Sequence, residues 1–303
     1  MLLRCAARRN GFSAGQWMKN LPTCRHYSAL QSSIKITSTP APHSGSITIL
    51  SLNRPQARNA LSKQMLGELN GVIEGLHREA GKGGTRALII ASESDNAFCA
   101  GADLKERVGM SQDEALAFLK TLRSTFTRLS QLPIPTLSAI SSNAFGGGLE
   151  LSLCTTFRIL ASTATIALPE IRLAIIPGGG GTYRLPRLIG PTRARDLILT
   201  GRRIQGPEAY FIGLADRLVE ITEDEKDAPG VARGKVLEQA VSMARDLCEG
   251  APVAVRAAMQ ALEGWEKGEE SENKAYEMTL PTEDRIEALR AFGEKRKPVF
   301  RGR

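Results

Sequence analysis

Histidine is nearly absent from this chain: three in 303 residues, at positions 26, 43 and 77. His26 lies in a basic leader, His43 precedes the first hydrophobic strand pattern, and His77 ends the first helical one. A Ser-His-Asp hydrolase and a histidine-ligated metal centre are therefore both excluded. Cysteine is also scarce. There are five, with no C-x-x-C, which fits neither a disulfide framework nor a zinc knot and suits a reducing compartment. Cys99, Cys154 and Cys248 read as small buried hydrophobes, with a reactive thiol as the alternative for Cys99 alone. No apolar run approaches the roughly 20 residues that span a bilayer, so no membrane association is expected. No G-x-G-x-x-G register fits anywhere. Pro177-Gly-Gly-Gly-Gly-Thr182 lacks the Gly-Lys-Ser/Thr ending of a phosphate loop. What remains for proton transfer is carboxylate.

Acid is missing as well, but only locally. The net charge is +8, yet no Asp or Glu occurs before Glu68. The opening Met-Leu-Leu-Arg-Cys-Ala-Ala-Arg-Arg, with Ser13, Lys19 and Arg25 beyond it, has the composition of a mitochondrial presequence. Arg25-His26-Tyr27-Ser28 resembles a matrix-protease cleavage site that would leave Ser28 first, and the expected location is the mitochondrial matrix. The plainer alternative is an unspecific basic tail. Without Arg4, Arg8, Arg9, Lys19 and Arg25 the charge falls from +8 to +3, and much of the rest sits between Lys295 and Arg303. The basic balance belongs to the ends and does not imply a nucleic-acid partner.

Ser46-Ile-Thr-Ile-Leu-Ser-Leu52 alternates as a strand should, and Asn53-Arg-Pro breaks it. A helix capped by Ser62 follows, with Met65, Leu69, Val72, Ile73 and Leu76 on one face. Residues 86–91 and 136–140 read as buried strands. Ser111 and Glu114 have capping-box spacing ahead of Leu119, Leu122, Phe126 and Leu129. From Gly234 onward the pattern is helical. The expected division is a presequence over 1–27, a flexible linker over 28–45, an α/β core over 46–230 and a helical region over 231–303.

Chemistry concentrates in three stretches. Asn143-Ala-Phe-Gly-Gly-Gly-Leu-Glu150 puts three glycines ahead of a carboxylate and a helix start, so backbone N–H groups can approach a ligand closely. Leu168-Pro-Glu170 places a second carboxylate in an apolar setting, which makes a possible acid/base pair. Ala97-Phe-Cys-Ala-Gly-Ala-Asp-Leu104 is a strand-to-turn run of small residues whose amides could face the same ligand. Each has a bland reading, a solvated glutamate or a common turn. The three in this order are a stronger signal than any alone.

These stretches, with Asn53-Arg-Pro, Asn59-Ala-Leu-Ser62, Ala174-Ile-Ile-Pro-Gly-Gly-Gly-Gly-Thr182 and Phe292-Gly-Glu-Lys-Arg-Lys-Pro298, resemble the crotonase, or enoyl-CoA hydratase, superfamily from Ile47 to the C-terminus. Within it they are most similar to the mitochondrial methylglutaconyl-CoA hydratases. The resemblance implies a repeated β-β-α core with a C-terminal helical trimerisation region, and homotrimers or homohexamers. It implies water addition across the 2,3 double bond of an enoyl-CoA in leucine degradation, with no metal and no cofactor beyond the coenzyme A of the substrate. Ala102 and Gly147 would supply the N–H groups that hold the thioester oxygen. Glu150 would activate the water, and Glu170 would exchange the proton at the α-carbon. Coenzyme A would lie along Ala100, Gly101, Ala102, Asp103 and Leu104 and beside Gly146, with Arg58 and a neighbouring subunit's Lys295 near its phosphates.

Two departures stand out: Ser141-Ser142 where the family usually has Asp-Gly, and Thr155-Thr156 where it has Cys-Asp. The rival readings are a straight-chain enoyl-CoA hydratase, a CoA-ester isomerase or thioesterase with the same oxyanion hole, and an RNA-binding protein with a relic enzyme fold. Leu66 to Leu76 contains no lysine, unlike the lysine-rich first helix of an RNA-binding relative. Specific RNA binding is therefore not expected.

Overall fold

The computed structural model describes residues 32–303. The presequence expected over 1–27, its cleavage site before Ser28, and Cys5 and Cys24 lie outside the described residues. The elements in chain order are β1 (Ile34–Pro40), β2 (Ser46–Leu52), α1 (Lys63–Glu79), β3 (Thr85–Ser92), α2 (Leu104–Val108), α3 (Gln112–Ser130), β4 (Thr136–Ile140), β5 (Ala144–Phe145) and α4 (Gly147–Ser152). They continue with β6 (Phe157–Ala161), β7 (Thr165–Ala167), α5 (Gly181–Ile189), α6 (Pro191–Thr200), β8 (Ile204–Gln205), α7 (Gly206–Phe211), β9 (Arg217–Val219), α8 (Glu223–Lys226), α9 (Val231–Cys248), α10 (Pro252–Glu263), α11 (Glu269–Glu277) and α12 (Glu283–Gly293). A 3-10 turn, Glu170–Leu173, follows β7.

Six strands form the main sheet in the order β1-β2-β3-β4-β6-β9. Only the β1–β2 pair is antiparallel. The inner strands carry continuous apolar runs, such as Ala87-Leu-Ile-Ile-Ala91 in β3, because helices cover both faces of such a sheet. The Ser62 hydroxyl accepts the Met65 amide at the start of α1, and Ser111 and Glu114 close a full capping box on α3. α9 lies across the sheet, with Val236, Ala240, Met243 and Ala244 buried against it.

Two boundaries need correction. The expected linker over 28–45 contains β1, which pairs with β2 along its whole length, from Ile34 opposite Leu52 to Pro40 opposite Ser46. As an edge strand it buries little beyond Ile34, so it carries no apolar pattern to read. Its start is held by Glu68, whose carboxylate accepts the amides of Ser33 and Ile34 at 2.9 and 3.1 Å. The region from 231 onward is helical as expected, but its first helix, α9, is a layer of the core. Residues 32–303 accordingly make one compact unit.

The second sheet, β5-β7-β8, is small and sets up the chemistry. β5 and β7 run parallel, with Phe145 beside Ala167. Both strands therefore exit on the same side, one into the glycine run and the other toward Glu170. The Gly146 amide donates to the Ala167 carbonyl at 2.9 Å and locks that exit.

Candidate active site

The site begins where three backbone segments are sewn together. Cys99 bridges to Ala144, and Leu61 to Ala102. The Phe145 amide donates to the Cys99 carbonyl (3.0 Å), the Leu61 amide to Gly101 (2.8 Å) and the Asp103 amide to Leu61 (3.2 Å). These bonds press the Ala100–Asp103 turn against residues 145–147. Only glycine fits there. At Gly101, with φ +90°, a Cβ would stand 2.7 Å from the Phe145 carbonyl oxygen. At Gly148 it would stand 2.2 Å from the Cys99 carbonyl oxygen.

This approach brings together the two expected donors. The Ala102 nitrogen lies 3.7 Å from the point where a Cβ on Gly147 would be. Among the described residues neither the Ala102 nor the Gly147 amide donates to any part of the chain. Gly147 is buried and Ala102 half-buried; backbone donors out of water are nearly always paired, so two adjacent orphans mark a place for an outside oxygen.

Two carboxylates flank that place. Glu150, in α4, is 2% exposed. Its Oε1 accepts the amides of Gly179 and Gly181 at 2.8 and 2.7 Å, and Oε2 shares the Gly179 amide at 2.8 Å. Burial raises its pKa and outweighs the opposing pull of these amides and of the Arg184 charge. Glu170, 8% exposed, has one oxygen, Oε2, that is buried with no hydrogen-bond partner among the described residues. Burial, with the Glu150 charge as a smaller contribution, pushes its carboxyl up to about 7. Gly146, at φ +51°, leaves room for it, since a Cβ there would sit 2.8 Å from Glu170 Oε1.

The Gly178–Gly181 run, which carries no phosphate-loop signature, proves to be the cradle of Glu150. Arg184 Nη1 donates to the Gly179 carbonyl at 2.9 Å and Arg123 Nε to the Gly178 carbonyl at 2.7 Å, pinning the run from outside. Neither the cradle nor the arginines figured in the sequence reading. The available signal was a glycine run directly before a helix start, the arrangement that frees amides for an anion.

The residues expected to line coenzyme A divide. Ala100, Gly101, Leu104 and Gly146 lie on or beside the turn, with Leu104 exposed. Asp103 is committed to the scaffold: its carboxylate caps α2 through the Lys105 amide and pairs with Arg54 at 3.1 Å. Arg58 is exposed, and its carbonyl accepts the Ala100 amide at 3.0 Å, which ties its backbone to the turn. Lys295 is exposed just past α12, and among the described residues no hydrogen bond or ion pair joins it to the site.

Cys99 and Cys154 are buried, and burial pushes both thiols up to about 12, which removes the reactive alternative for Cys99. The departures at Thr155 and Thr156 bond to Ser138 and Thr136 and stitch the end of α4 to β4.

This geometry has relatives. The family model "Enoyl-CoA hydratase/isomerase" matches residues 43–303. The chain is 67% identical to an enoyl-CoA isomerase/hydratase of Zymoseptoria tritici, over 100% of this chain and 99% of that one. It is 52% identical to methylglutaconyl-CoA hydratase 1, mitochondrial, of Pyricularia oryzae, over 93% and 91%. The crystal structure of an enoyl-CoA hydratase from Bacillus anthracis superposes with a TM-score of 0.80 at 40% identity, over 89% of this chain and 100% of that one. With paired carboxylates and orphaned amides in this order on this fold, the chain belongs to the enoyl-CoA hydratase/isomerase family and is an enzyme of the hydratase type.

Proposed function

We propose that the enzyme adds water to the 2,3 double bond of an enoyl-CoA, with 3-methylglutaconyl-CoA of leucine degradation as the preferred substrate and the mitochondrial matrix as its location. The observation that carries the reaction type is the pair of buried glutamates in unlike surroundings beside two unpaired amides. An isomerase needs one carboxylate to move a proton, whereas hydration employs two. The substrate and location rest on the methylglutaconyl-CoA hydratases of Pyricularia oryzae and Homo sapiens, the latter 41% identical over 84% of this chain and 74% of its own length.

In the forward direction Glu150, ionised in its cradle, takes a proton from water as the oxygen bonds to C3. The π electrons move to C2 and the thioester oxygen gains enolate charge, which the Ala102 and Gly147 amides receive. Glu170, protonated for a large part near neutrality, gives its proton to C2. The proton gained by Glu150 returns to Glu170 through the next water, and the balance closes without a metal or redox group. Coenzyme A enters and leaves as part of the substrate. The exposed apolar residues Ile286, Leu289 and Phe292 of α12 support a trimer or a pair of trimers.

The test follows loss of the conjugated-thioester absorbance with protein beginning at Ser28. 3-Methylglutaconyl-CoA should turn over faster than crotonyl-CoA, and Glu150→Gln and Glu170→Gln should each lower kcat by about 10²–10⁴-fold. A folded enzyme that hydrates neither thioester sinks this reading.

A further inference from the structure

Arg107 is the cation of the site whose buried donor has no acceptor among the described residues. It sits near the end of α2, directly after the turn that carries Ala102. Its Nε is buried without a hydrogen-bond partner, and among the described residues its guanidinium makes neither a hydrogen bond nor an ion pair. Five N–H donors in a fixed fork are thus unused. A half-buried guanidinium with no bonded counter-charge is costly, which leaves its fork open to an acceptor from outside the chain.

The surroundings say where the fork lies. The guanidinium stacks on the Phe118 ring of α3, 4.9 Å from its centroid. The same helix face carries Leu119, beside Gly178, and Phe126, whose ring edge is 3.0 Å from a Cβ position on Gly179. α3 therefore forms one wall, with Arg107 at one end and the Glu150 cradle at the other. Burial lowers the Arg107 pKa, and Glu150 is the one charge that opposes this. The wall between them is apolar: Phe118, Leu122 and Phe126 are all buried.

A cation at the opposite end of an apolar wall from the Glu150 cradle, within reach of its charge but not bonded to it, suits an anion at the far end of an acyl chain. Coenzyme A phosphates fit it less well, because Arg58 and Lys105 offer exposed positive charge at the outer rim of the turn. Resting on the hydratase reading for its chemistry, we propose that Arg107 receives a terminal carboxylate on the acyl chain and so selects enoyl-CoA substrates that carry a second acid. The planar fork matches a carboxylate in two-point contact, and the Phe118 face fixes its plane.

The experiment compares wild type with Arg107→Met, which keeps length and packing against Phe118, and Arg107→Lys, which keeps the charge. The readout is the ratio of kcat/KM for 3-methylglutaconyl-CoA over crotonyl-CoA, with binding of the inert pair glutaryl-CoA and butyryl-CoA measured beside it. Arg107→Met should lower the kinetic ratio by about 100-fold, mainly through KM, and weaken glutaryl-CoA relative to butyryl-CoA by a similar factor. Arg107→Lys should recover part of both. An equal loss on both members of each pair overturns the assignment, since it places Arg107 on the coenzyme A moiety or on Glu150. A wild-type ratio below one with no glutaryl-CoA preference overturns it too and leaves hydration standing. Selective glutaryl-CoA binding that depends on Arg107, in an enzyme that hydrates nothing, keeps this assignment and removes the hydratase reading instead.

Discussion

Two glycine runs frame this site, and they use their amides in opposite ways. Gly146–Gly148 leaves the Gly147 N–H unpaired beside that of Ala102. Gly178–Gly181 turns its amides inward onto Glu150. The composition is nearly the same, and the difference lies in what stands opposite. The first run faces the Ala100–Asp103 turn, whose Gly101 carbonyl already accepts the Leu61 amide and whose Asp103 carbonyl accepts that of Arg107; the second faces a buried carboxylate. Glycine content alone therefore says that amides can be approached, and the neighbouring side chain decides whether the acceptor is internal or a ligand.

The comparison breaks most readily at Gly148. A Cβ there meets backbone, 2.2 Å from the Cys99 carbonyl oxygen, and backbone cannot step aside. Gly148→Ala should shift α4 bodily, moving the Gly147 donor and Glu150 together. Activity should fall more than about 10³-fold, and stability by about 3 kcal/mol or more, read by turnover and thermal melting. Near-normal activity would mean that the close approach is not what sets the site.

Gly179→Ala is the matching change in the other run and should do less. Its Cβ would meet Glu150 Oε2 at 2.7 Å and Phe126 at 3.0 Å, both side-chain atoms. The carboxylate would leave its cradle while the fold stays intact. A loss of about 10² in kcat is expected, the effect of misplacing a catalytic group by around an ångström, with little change in melting temperature. A melting loss as large as that of Gly148→Ala would erase the distinction between a scaffold glycine and a cradle glycine.

The legible parts are those where one local pattern suffices. The apolar runs of β2, β3 and β4, the Ser62 cap and the Ser111 capping box all appear in the structure where periodicity and spacing place them. The expected site residues Glu150, Glu170, Ala102 and Gly147 come from motifs in a fixed order, and the fold brings those motifs to one place. What escaped depends on distant partners. β1 hides because an edge strand has no buried face to pattern. The cradle joins residues 29 and 31 positions away from Glu150. Arg107 gains its meaning from a phenylalanine on another helix and from pairing with no acid among the described residues. Asp103 looked available until Arg54, 49 positions earlier, claimed it.

Glu170 offers the smallest and most discriminating effect, because one proton reports on both function and stability. Its carboxyl rises from 4.5 to about 7 in the folded enzyme, chiefly through burial. Between those values the folded state holds a proton that the unfolded state has released, so stability falls as pH rises through the window. Below about 4.5 both states are protonated and Glu170→Gln should melt with the wild type. Above 7 the variant should be the more stable, by up to about 3 kcal/mol, or roughly 2–4 °C for each of these. Hydration should lose rate over the upper part of the same window, since the C2 proton comes from protonated Glu170. Loss of rate at low pH would report Glu150 taking up a proton in its cradle. A pH-independent difference in melting would detach Glu170 from burial, and the contrast between a cradled and an orphaned carboxylate would fall with it.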